Sequence, residues 1–338
     1  MMRWSIRGGL IFGLLSWLFF LVYGYHSVSF GAVSLPLSVM LSGLVMLTWY
    51  GFMVGYMVVR SAMEHMSATV WYDMALLMLF ISSLGAWGVS VLQLAEVQNQ
   101  LFTTAMTHFF LSVFTEGWVV LALLAILIQA LKVEEEDLLF SSGILSVVIL
   151  TGACLTFPYG ISKVLLTPEL IGAARFGGLL VSAGLVLTLY SLVKKSERGS
   201  VWIWPLGLLF LKALMQLGAS VVPAAFWLSD HALRIFYLHL LLLGALTLCG
   251  SAWLHQVNHR MPKIHFLSVS FSVVVVLFSL LMLIDLWPFA LKGLWVYHFA
   301  GYVSVLPVIV VAIYWFKLEK VEGDRDNTLP ETTTMNRR

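Results

Sequence analysis

The sequence predicts an all-α, polytopic membrane bundle of about ten transmembrane helices, and two observations carry that prediction. Hydrophobic residues make up 60% of the 338 residues and charged residues only 11%, less than half of the roughly 25% charged share of soluble domains. The apolar residues also gather into runs long enough to cross a bilayer core, which takes about 20 residues of helix. The runs are 6–25, 37–59, 72–95, 105–131, 138–158, 170–193, 201–222, 232–254, 264–284 and 294–316. Connections between them are short, so residues 1–317 read as one transmembrane domain. Residues 318–338, with Glu319, Lys320, Glu322, Asp324, Arg325 and a threonine run, read as a disordered cytoplasmic tail.

The first run follows Arg3 and Arg7, as a signal peptide's would. It is long for a signal segment and no A-x-A site follows, so it reads as the first span. Basic residues set orientation. With the N-terminus inside, Arg3, Arg7, Arg60, Lys132, Lys194, Lys195, Arg198, Arg260, Lys263 and the tail's cations fall on the cytoplasmic side. Lys163, Arg175, Arg234 and Lys292 fall outside. Both termini are therefore expected inside, in the inner membrane of a bacterial or archaeal cell. Trp71, Trp202, Trp204, Trp227, Trp287 and Trp295 sit at span ends, as interfacial belts require. Gly51 and Gly55 form a GxxxG that permits close helix approach.

Several function classes drop out. A net charge of +2 leaves no excess to neutralise a phosphate backbone, so nucleic acid is not an expected partner. Cys154 and Cys249 sit in apolar runs without CxxC or CxxCH, which removes zinc ribbons, dithiol redox motifs and covalent c-type heme. There is no P-loop, Rossmann fingerprint, HExxH or GxSxG. The run Glu134–Asp137 reads as a solvated loop. Eight of the 15 methionines fall between Met40 and Met78, including Met53/Met57 and Met63-Glu64-His65-Met66. Thioethers suit Cu(I), though apolar gap-filling is the plainer reading.

Ionisable groups inside spans are costly and point to function. His108 on span four, His239 on span eight and His298 on span ten lie about 5 to 10 Å below the outer ends of three helices running in the same direction. Imidazole is the commonest metal ligand, and bundles build cofactor sites from inward-facing side chains. The three rings are therefore expected to converge on one pocket, against the plainer reading of each as an interfacial histidine. Thr104, His108, Ser112 and Thr115 form one polar stripe, which turns His108 inward. His26 and His231 at outer ends, and His65, His255, His259 and His265 on the cytoplasmic side, read as loop or interfacial residues. Glu116 lies about 16 Å below the outer end of span four, and Lys212 about 15 Å below that of span seven. Opposite charges at matched depth suggest an ion pair or a proton relay. Arg175 and Arg234 near the outer surface either clamp carboxylates or snorkel to headgroups.

Span eight, Arg234-Ile-Phe-Tyr-Leu-His239 through Gly244-Ala-Leu-Thr, resembles histidine-bearing helices of the heme-copper oxidase subunit I superfamily, with its small bacterial relatives and the NnrS-type membrane heme proteins. Span four, from Thr107-His108 to Gly117-Trp118, is similar to a helix of those proteins. The resemblance covers these helices and, loosely, span ten. It implies a bundle holding b-type heme near the outer face, with His108, His239 and His298 as candidate axial ligands and Arg175 and Arg234 near the propionates. It also implies electron transfer or binding of a diatomic gas, with a redox protein as partner. The superfamily usually has twelve spans and about six histidines for its cofactors, so a complete oxygen-reducing centre is not expected. Copper has weak support. Two other functions stay open. Ten spans suit a proton-coupled transporter of the drug/metabolite type, although no repeat relates the two halves and matched Gly/Pro breaks are missing. An accessory subunit of a respiratory complex, without cofactor, is the other.

Overall fold

A computed structural model describes residues 1–24, 26–30, 33–62, 67–95, 99–197, 200–223, 231–257, 263–288 and 291–314. His65, His259, the Met63–Met66 run, Arg198, Arg260, Trp227 and the tail lie outside the described residues. Among the described residues, ten helices are long and apolar enough to cross a membrane. They are α1 (Met2–Tyr23), α2 (Leu37–Arg60), α3 (Ser67–Leu94), α4 (Gln100–Ala130), α5 (Ser142–Gly160), α6 (Pro168–Lys195), α7 (Ile203–Val221), α8 (His231–Val257), α9 (Lys263–Leu281) and α10 (Leu294–Tyr314). The protein is thus an all-helical integral membrane protein. A short antiparallel hairpin, Val28–Phe30 against Val33–Leu35, joins α1 to α2.

Local chemistry sets the helix ends. The Asn99 side chain accepts from the Phe102 amide to start α4, Ser141 from Ile144 to start α5, and Thr167 from Leu170 to start α6. The acidic run before α5 is exposed but ordered. Glu134 and Asp137 form a reciprocal capping box, and Glu135 accepts from the Ser142 amide at 2.7 Å and its hydroxyl at 2.6 Å. Asp137 also pairs with Lys195 at 2.8 Å, tying this turn to the end of α6.

The helix α4 is central, in contact with α3, α5 and α8. Its Leu121, Leu123, Leu124 and Leu127 have no exposed surface. Lipid is as apolar as leucine, so what holds such a core in a bilayer is close packing and internal hydrogen bonding rather than transfer from water. Small residues set the tightest crossing. A Cβ built on Gly152 or on Gly177 would come within 2.7 Å of the other's carbonyl oxygen, so α5 and α6 meet backbone to backbone. The Gly51/Gly55 face of α2 makes room for the Ser5 and Met2 side chains of α1.

Two tryptophans expected in the interfacial belts belong to the core instead. Trp71 is fully buried and Trp202 is 4% exposed, whereas Trp204 and Trp295 face outward. Position near a span end gives depth only; the helix face decides burial.

Among the described residues, two helices carry a wide turn. Val113–Val119 of α4 and Leu240–Leu246 of α8 are π-helical, with i→i+5 hydrogen bonding, and the two segments touch. Such turns occur often at functional sites.

Candidate functional site

A cavity of about 290 Å³ opens between α4, α5, α7 and α8, near the bundle end that carries His231. The polar stripe on α4 supplies one wall, with His108, Ser112 and Thr115 all lining it. Ser112 lies 2.6 Å from the Thr156 hydroxyl of α5, which fixes the stripe's direction. Below Ser112 the helix enters its π turn, and the consecutive residues Thr115 and Glu116 both reach the cavity. The His108 ring lies directly against the Phe157–Gly160 turn. Gly160 leaves room for it, since any Cβ there would overlap the imidazole.

At the inner end of the cavity, four side chains make one network. Lys212 of α7 donates to Glu116 Oε2 and, at 3.2 Å, to Gln216 Oε1 one turn along the same helix. The Tyr237 hydroxyl reaches Glu116 Oε1 at 2.6 Å and also contacts Gln216 Oε1. The Lys212 ammonium lies 5.4 Å from the centre of the Tyr237 ring. Glu116 and Gln216 are 4% exposed and Lys212 is fully buried. Glu116, Gln216 and Tyr237 line the cavity, while Lys212 is sealed behind them. Ser220, a further turn along α7, donates to Gln216 O at 2.9 Å and lies 3.5 Å from the Tyr159 hydroxyl. A polar ladder thus climbs α7 from the ion pair toward the cavity mouth.

Beyond Lys212 the polar groups give way to an apolar layer. Leu121, Leu124, Ile128, Leu206, Leu209 and Leu241 are each at most 1% exposed there. Neither Lys212 nor any of these six residues lines the cavity, which ends at Glu116, Gln216 and Tyr237.

The charged residues singled out from the sequence have different fates. Glu116 and Lys212 are in direct contact. Arg234 lines the cavity, and its buried Nε has no hydrogen-bond partner. Arg175 does not line the cavity; its Nη2 donates to the Val222 carbonyl at 3.0 Å and closes the end of α7. The three histidines expected to share a pocket are placed differently. His108 alone of the three lines the cavity. His239 is exposed, its Nδ1 bonded 2.8 Å from the Ile235 carbonyl of its own helix, and His298 is also exposed. No group of three or more His, Cys, Asp or Glu side chains placed to hold a metal ion occurs among the described residues. The structure thus does not bring His239 or His298 to the cavity that His108 lines. Met53 is buried and Met57 is 63% exposed, so this thioether pair makes no copper site in the core.

Tyr237, Gln216 and Tyr159 belong to the site but were not singled out by sequence reasoning. For Gln216 a signal existed: it is an amide four residues after an intramembrane lysine. Tyr237 lies three residues after Arg234, on the same face. Tyr159 has no such marker.

No protein-family model matches this chain, and neither a curated protein nor a solved structure does.

Proposed function

We propose that the protein is a proton-coupled membrane carrier for a small polar solute, with Glu116 and Lys212 as the coupling pair. The observation that carries this reading is a cavity between helices that ends on a buried ion pair. A carrier needs a midplane site reached from one side at a time. It also needs an ionisable group whose charge state the solute can alter. Here Glu116 meets both the cavity and Lys212. A proton arriving through the cavity neutralises Glu116 and leaves Lys212 without its counter-ion, which destabilises the closed packing around it. Tyr237 holds the carboxylate directly, and Gln216 acts on it through Tyr237 and Lys212, which both bond its Oε1. The π turns in α4 and α8 are where these helices can change register at low cost. In this reading the end with Lys132, Lys194 and Lys195 faces the cytoplasm, and the cavity opens to the outside.

The test uses purified protein in liposomes containing a pH-sensitive dye. Small carboxylates, amino acids, amines and sugars are added in turn. At least one class should drive proton movement, and Glu116→Gln should abolish it. No proton movement with any class overturns the reading. The competing heme function is decided on the same preparation. A Soret band lost in His108→Ala would establish it, with His108 as the ligand and His231 as the other imidazole lining the cavity.

A further inference from the structure

A second and larger cavity, of about 540 Å³, lies at the opposite end of the bundle. It forms where the ends of α4, α6 and α8 meet the starts of α7 and α9. Lys132, Lys195 and Lys263 line it, against one carboxylate, Glu197. Lys195 is engaged by Asp137. Lys132 and Lys263 make no ion pair among the described residues. The wall is built rather than accidental: Gln256 donates to the Ala130 carbonyl at 3.3 Å, joining α8 to α4 beside Lys132, and the buried Trp202 closes another side.

Lys132 itself supplies an independent observation. The helix α4 ends in a Schellman motif, with the Val133 amide bonded to Ile128 O at 3.0 Å and the Lys132 amide to Gln129 O at 3.3 Å. That motif puts Lys132 at φ 53°, the only positive φ at a non-glycine residue among those described. Glycine is the low-cost residue for this position. The chain holds a lysine there in spite of the backbone cost, and that lysine is one of the residues lining the cavity.

We infer that this cavity binds the phosphate of an anionic headgroup, Lys132 and Lys263 being the cations that recognise it. Basic pockets between transmembrane helices on the cytoplasmic side hold such groups, and that leaflet supplies them. A lipid phosphodiester is the source the position favours, since the pocket lies at the helix ends where headgroups sit. The inference does not depend on the carrier reading.

Delipidated full-length protein in neutral detergent is melted with added phosphatidylglycerol or cardiolipin, with phosphatidylcholine, and with glycerol 3-phosphate. The anionic lipids should raise Tm and phosphatidylcholine should not. Each of Lys132→Gly and Lys263→Gln should weaken anionic-lipid binding about fivefold, the worth of one lysine near a charged headgroup. Lys132→Gly should at the same time raise Tm without lipid, which separates lost binding from lost folding. A full Tm shift with glycerol 3-phosphate, and none added by lipid, keeps the phosphate site but assigns it to a soluble ligand. No shift with either source, or lipid shifts unchanged in both variants, overturns the inference.

Discussion

Among the described residues, two ion pairs join one membrane-spanning helix to another, and their surroundings differ sharply. Glu116–Lys212 is sealed in the bundle at the end of a cavity, with side-chain exposures of 6% and 0%. Arg60–Asp73 ties the end of α2 to α3 at the bundle edge, with exposures of 23% and 38%. The edge pair is geometrically the fuller one. Arg60 makes a two-pronged contact, Nε to Oδ1 and Nη2 to Oδ2, each at 2.9 Å, and the Tyr56 hydroxyl adds a third donor at 2.8 Å. Good geometry in a solvated place still gives little stability, because water and salt compete for both charges. The buried pair has no such alternative partner, so each charge depends on the other. The edge pair works as a clasp, and the buried pair can work as a switch.

Breaking the buried pair should have the largest effect. Lys212→Met leaves a buried carboxylate without its cation and is expected to cost about 3–5 kcal/mol. The double change Glu116→Gln/Lys212→Met should recover most of that loss, measured by reversible unfolding in bicelles. Equal losses in the single and double variants would show that the two side chains do not depend on each other.

Tyr237→Phe comes next. It keeps the ring beside Lys212 and removes the hydroxyl that serves Glu116 and Gln216, for an expected loss of about 1–3 kcal/mol. In the liposome assay it should slow proton movement without abolishing it, whereas Glu116→Gln abolishes it.

The edge pair should respond more weakly and differently. Arg60→Ala should lower Tm slightly at low salt, and the difference should shrink as salt rises through the physiological range. A salt-independent loss would place this pair in the same class as the buried one.

The smallest effect is expected at a third pair, in the loop before α5. Hydrogen bonding from Lys195, helped by the Glu134 amide, holds the Asp137 carboxyl below its ordinary pKa. A depressed carboxyl pKa adds stability above the unfolded value of about 3.9, and that stability is lost as pH falls through the lower folded value. Wild type should therefore melt slightly above Asp137→Asn at pH 7, and the two curves should merge in strong acid. A difference that persists there would mean that the carboxylate's charge is not what stabilises the turn.

Legibility in the sequence follows one distinction, between depth and direction. Depth along a helix is a matter of counting residues, so spacing alone puts Glu116 and Lys212 at one level, and in the bundle they touch. Direction around the helix needs a second signal. His108 has one in the stripe with Ser112 and Thr115, and it lines the cavity. His239 sits before a run of leucines and His298 among aromatics, neither with a Ser/Thr stripe like that of His108 to orient it, and both residues are exposed. Trp71 departs from expectation for the same reason, being at a span end in sequence but fully buried on its helix. The π turns are a further obstacle, because an extra residue in a turn rotates everything after it and leaves no trace in the hydropathy.

Composition and spacing suffice to make this chain a ten-helix membrane protein and to mark which ionisable groups lie deep in it. Apolar length and the cost of charge in lipid are properties of each helix separately. Which deep groups share a site is a matter of the assembled bundle: the Glu116, Lys212, Gln216 and Tyr237 network, with His108 and Arg234 along the cavity above it. That choice depends on how helices are rotated against their neighbours, and the rotation comes from packing between segments far apart in the chain.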